Sequence, residues 1–155
     1  MSGLLEFWQV QGVSRRREHG DKDMTMVDVS DLIGVPFVSR GRDPQKGLDC
    51  WGLVLEVSRR FGQTLPDFYV DALDGKQIGV IYNFVRSEWK ELEKPEPGAV
   101  VGIRLDRACL PGTTQHFGIC VDRRQFIHTL KNVGVIISRF DRFKNIITGY
   151  YQWCA

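Results

Sequence analysis

The sequence predicts an α+β domain in which helices come first and an antiparallel sheet of about five strands follows. Three observations carry this. Helical spacing of apolar residues is confined to the first 92 positions. After Pro95 and Pro97 the pattern changes to short runs rich in β-branched and aromatic residues. Those runs are separated by brief polar turns, the signature of a strand meander and not of alternating strand–helix units.

The 155 residues suit one domain, with 43% hydrophobic and 26% charged side chains. A net charge of +2 is too small to indicate nucleic acid as a partner. No apolar run approaches the roughly 18 residues that a membrane helix needs. The first residues also lack a secretory pattern, so the protein is expected to be made and kept in a reducing cytoplasm. Residues 1–27, with Arg15, Arg16 and Arg17 followed at once by acids, read as a charged, loosely attached arm. The folded domain is expected over residues 28–155.

Asp28 or Ser30 is placed to cap a short helix ending near Gly34. A polar loop follows from Ser39 to Gly47. The next helix is expected from Cys50 to Phe61, capped by Asp49 and stopped at Gly62. Its apolar face is Cys50, Leu53, Val54, Val57 and Phe61. A further helix is expected over about Lys76–Leu92. The strands are expected at Ala99–Arg104, His116–Val121, Gln125–Leu130, Val135–Phe140 and Ile146–Trp153.

Cys50 stands at the first turn of its helix, where unpaired N–H groups and the positive dipole end favour a thiolate. It is therefore a candidate nucleophile, with nearby N–H groups as oxyanion donors and Gly52 keeping bulk away. The plain alternative is a small buried core residue. His116 opens a strand that alternates His116, Gly118, Cys120 on one face with Phe117, Ile119, Val121 on the other. If the helix packs on the first face, His116 comes beside the thiol as its base. His128, in the next strand, would then orient His116. That requires an odd-numbered loop or a bulge around Asp122–Gln125, because a plain two-residue turn sends the two histidines to opposite faces. The four cysteines show no C-x-x-C spacing, so neither a zinc site nor any cofactor is expected.

Several segments, taken in order, resemble the NlpC family of cell-wall peptidases. They are Ile33-Gly34-Val35-Pro36-Phe37, then Gly47-Leu48-Asp49-Cys50-Trp51-Gly52-Leu53-Val54, Pro97-Gly98-Ala99-Val100-Val101, His116-Phe117-Gly118-Ile119 and Phe126-Ile127-His128-Thr129. The resemblance implies a papain-like fold with the catalytic cysteine at a helix N-terminus. It implies a Cys50–His116–His128 triad hydrolysing peptidoglycan stem peptides, often between D-glutamate and the diamino acid. Phe37, Asp49, Trp51 and Gly52 would border the substrate. Two positions depart from the family pattern, Phe37 for a tyrosine and Trp51 for a serine. They leave open a relict, structural or wall-binding module. An amine acceptor in place of water would instead make the same site an acyltransferase. Gly41-Arg42-Asp43-Pro44 and the ending Gly149-Tyr150-Tyr151-Gln152-Trp153 look most like phage or prophage members, which implies phage tail proteins as partners and incorporation into a virion.

Overall fold

The computed structural model describes residues 26–67, 88–106, 108 and 114–154. The expected arm, apart from its last two residues, lies outside them, and so do His19, Cys109 and most of the expected Lys76–Leu92 helix.

Near the start Asp28 Oδ1 accepts hydrogen bonds from the Ser30 backbone N–H and hydroxyl. The expected short helix is a single 3₁₀ turn, Ser30–Leu32. Arg42–Asp43 (β1) and Gly47–Leu48 (β2) form a small antiparallel ladder. Helix α1 follows at Cys50–Arg60. Asp49 caps it by accepting from the Gly52 N–H, as expected, and Gly62 lies just beyond its end in the left-handed region, φ +82°. Arg60 donates to both carboxylate oxygens of Asp31, at 2.6 and 2.8 Å, and so ties the helix end to the 3₁₀ turn.

The remaining strands are Trp89–Leu92 (β3), Val100–Ile103 (β4), His116–Cys120 (β5), Gln125–Leu130 (β6), Gly134–Arg139 (β7) and Ile147–Trp153 (β8). They make one antiparallel sheet in the order β3-β8-β4-β5-β6-β7. The sheet has six strands, one more than expected, because Trp89–Leu92 is strand and not helix. Its residues pair with Trp153–Tyr150 of β8, and the Trp89 and Trp153 rings meet at 4.9 Å. Cross-strand pairing of this kind overrides local helical spacing. Between β7 and β8 the chain makes a 3₁₀ turn, Phe140–Arg142.

Two cores sandwich the sheet. Leu53, Val54 and Val57 of α1 pack with Phe117, Ile119, Ile127 and Ile137. On the opposite side Val101, Ile103, Cys120, Phe126 and Phe140 pack together. β5 is therefore covered on both faces, and all five of its residues are buried. The helix takes the face of Phe117, Ile119 and Val121, not the expected face of His116, Gly118 and Cys120. The reason is apolar area: Phe117, Ile119 and Val121 offer a broad surface to bury, while Gly118 offers almost none.

Candidate active site

The site is built where α1 begins against the start of β5. Asp49 is fully buried and every bond it makes is spent on local architecture. Its Oδ1 accepts from Gly52 N–H at 2.7 Å and from Arg42 Nη1 at 2.6 Å; its Oδ2 accepts from Arg40 N–H at 3.1 Å. Arg42 reaches onward to Asp67 at 2.9 Å. Burial raises the Asp49 carboxyl above its ordinary range, opposed by the Gly52 N–H and the Arg42 charge. The helix start is thus clamped to the preceding loop. Gly52 is required there, because a Cβ would lie 2.0 Å from the Gly41 carbonyl oxygen.

Cys50 is 1% exposed. Burial pushes its thiol up to about 12, and the Asp49 charge adds to this; the N–H groups of Phe117 and Trp51 pull the other way. The thiolate that the helix terminus was expected to favour is therefore outweighed. The Phe117 N–H belongs to the peptide joining His116 to Phe117, so the thiol lies against the first peptide of β5.

The two histidines come together on the sheet face away from α1. His116 Nε2 and His128 Nδ1 are 3.4 Å apart, and the rings meet edge-on at 5.6 Å. The odd-numbered turn is present. Ile119 pairs with Ile127 and Cys120 with Phe126, which leaves Asp122–Arg124 as a three-residue turn beyond the Val121–Gln125 hydrogen bond. Asp122 Oδ1 holds it by accepting from Arg124 N–H and Gln125 N–H. Gly118 clears the space that His128 needs, since a Cβ there would approach the His128 Cβ to 3.2 Å. Burial lowers His116 to about 3, with the neighbouring His128 adding to it, and burial lowers His128 to about 4. Both rings are neutral near neutral pH.

Trp51 and Phe37 sit differently from a bound-peptide border. Trp51 is 5% exposed; its ring packs edge-on against Phe117 at 5.2 Å and Trp89 at 6.3 Å. Its indole N–H donates to the Pro66 carbonyl at 2.9 Å. It is a core side chain that pins the segment after α1, so the groove-lining expectation for it is corrected. Phe37 is half-buried in the wall of a cavity of about 490 Å³ between the loop after Gly34 and the Lys131–Gly134 turn, with neither Cys50 nor the histidines in that wall.

Two residues escaped the sequence reading. Arg42 was noted in a motif but not as the partner of Asp49. Ser138 was not singled out; its Oγ lies 2.9 Å from His128 Nε2. A polar residue directly after the apolar run Val135–Ile137, on the parity of His128, is the only signal that pointed there.

The model of the NlpC/P60 family matches residues 34–150. This chain belongs to the NlpC/P60 family. Among solved structures of the same fold is an NLP/P60-family protein from Staphylococcus aureus described as similar to lipoprotein, at 17% identity and TM-score 0.55, with 87% of this chain and 45% of that chain covered. Another is NlpC2 from Trichomonas vaginalis, at 19% identity and TM-score 0.58, with 80% and 43% covered. At such identities the likeness is one of fold, and the chain spans less than half the length of either protein. No curated protein matches it. The α+β fold with an antiparallel sheet agrees with the sequence expectation. No helix among the described residues is long and apolar enough to cross a membrane.

Proposed function

We propose that this NlpC/P60 protein is a cysteine peptidase that hydrolyses peptidoglycan stem peptides, at the bond between D-glutamate and the diamino acid. The supporting observation is the alignment of His116 Nε2 on His128 Nδ1 at the strand start that abuts the Cys50 thiol. His116 directs Nε2 at His128, which leaves Nδ1 without that contact; to take the thiol proton the ring must reach round the start of β5 to the Cys50 side. Sulfur then attacks the amide carbonyl, the amine leaves with that proton, and water releases the acyl group with His116 again as base. Because both partners are neutral, proton transfer accompanies attack instead of preceding it. The proposed setting is synthesis in the bacterial cytoplasm and assembly with phage tail proteins.

Digestion of purified peptidoglycan by wild type and Cys50→Ala, with fragment masses, tests this. Release of fragments cut after D-glutamate by wild type alone is the expected result. Equal digestion by both proteins overturns it. Fragments carrying an added amine would assign an acyltransferase instead.

A second reading, a catalytically relict wall-binding module, draws on the 1% exposure and raised pKa of Cys50. It predicts no digestion, and sedimentation with wall material that Cys50→Ala leaves unchanged.

A further inference from the structure

We infer that Ser138 is a positioning residue of this site: by accepting a hydrogen bond from His128 it selects the ring tautomers that leave His116 free to act as a base. The inference rests on the proposed chemistry of Cys50 and His116.

Three groups stand in line. His116 Nε2 faces His128 Nδ1 at 3.4 Å, and His128 Nε2 faces Ser138 Oγ at 2.9 Å. All three residues are buried, with Ser138 8% exposed. Around His128 the packing is aromatic: Phe126 at 4.7 Å and Phe143 at 6.3 Å. Ser138 reaches the line because β7 pairs Ser138 with Phe126, which puts its side chain on the His128 face two residues away.

A neutral imidazole carries one N–H and one lone pair, so the line admits two proton arrangements. In the first, His128 Nε2–H donates to Ser138 Oγ. His128 Nδ1 then accepts from His116 Nε2–H, and the His116 Nδ1 lone pair is free. In the second, Ser138 donates to His128 Nε2 and His128 Nδ1–H donates to His116 Nε2. His116 then carries its proton on Nδ1 and cannot take another there. Only the first arrangement makes a base of His116, and it exists only while Ser138 offers an acceptor. Without that oxygen the buried Nε2–H of His128 would be unpaired, which is costlier than an unfilled ring lone pair. Both rings then shift to the second arrangement.

Long-range ¹H–¹⁵N spectra of the histidine-labelled full chain read the tautomers directly. Wild type and Ser138→Thr are expected to carry both protons on Nε2, and Ser138→Ala to carry both on Nδ1. With a soluble γ-D-glutamyl–diaminopimelate peptide, kcat should fall about ten-fold in Ser138→Ala at unchanged KM, the scale of one buried hydrogen bond, and recover in Ser138→Thr. If Ser138→Ala does not fold, Ser138→Cys, similar in size and a weak acceptor, makes the same comparison. Unchanged tautomers in the variant, or wild type already protonated on both Nδ1 atoms, would overturn the inference. So would lost activity without a tautomer shift, which is what a packing defect produces. A wild type as inert as Cys50→Ala would defeat the peptidase reading, while the spectra alone would still decide the role of Ser138.

Discussion

At Cys50 two effects oppose one another, and their sizes decide the outcome. A helix N-terminus favours an anion by roughly 0.3–1 kcal/mol at an accessible site. Removing a thiolate from water costs several times that. Burial wins, and the thiol rises from 9.0 to about 12. Its alkylation by iodoacetamide should therefore be slow at pH 8 and climb about ten-fold per pH unit through the alkaline range. Cys154, which is exposed, serves as the internal comparison by peptide mapping. A flat profile for Cys50 would contradict this. The histidines carry the opposite sign. Their pKa values are depressed from 6.5 to about 3 and about 4, so their contribution to stability is full above pH 6.5 and is lost as pH falls through those values. Urea midpoints should hold above pH 6.5 and decline below it. His128→Gln, which removes one of the two proton uptakes, should flatten that decline.

At the scale of the element, the start of α1 depends on Asp49 more than on its own helical propensity. That one carboxylate caps Gly52, pairs with Arg42 and holds the Arg40 N–H, whose residue is in the left-handed region at φ 60°. Asp49→Ala should cost about 2–4 kcal/mol, combining a lost cap with a broken buried pair. Asp49→Asn, which keeps an acceptor for Gly52, should cost less. Chemical denaturation of both variants measures the difference, and equal losses would mean that the charge and not the cap matters. Gly52→Ala should destabilise as well, since the Gly41 carbonyl can withdraw only by moving the loop. Asp49 as a cap was legible from its position before a helical run. Its pairing with Arg42 was not, because the β1–β2 hairpin, six residues between the two, sets their approach.

Across the whole molecule, Trp51 joins three parts of the chain: the helix, the β5 strand through Phe117, and the segment after α1 through Pro66. The family's usual serine at this position would leave a void lined by Phe117 and Trp89. Trp51→Ser should cost about 3–5 kcal/mol, the range for deleting a large buried aromatic side chain. A thermal midpoint close to wild type would show that the neighbouring rings collapse into the space. The start of β5 links the two sides of the sheet: its first peptide meets the Cys50 thiol, and His116 there begins the line to His128 and Ser138.

Taken alone, the sequence determined the α1 helix with its cap, five of the six strands of the main sheet, and the shared parity of the two histidines once an odd turn was demanded. These follow from spacing along the chain, because periodicity and capping are local. Tertiary structure decided the rest. Trp89–Leu92 became a strand because Trp153 was there to pair with it. The helix chose the Phe117 face because that face had more apolar area to bury. Cys50 lost its expected acidity because burial is a property of everything packed around it. Ser138 met His128 because the register of the β6–β7 hairpin sets Ser138 opposite Phe126 on the His128 face, and that register is fixed by the packed sheet and not by the local pattern.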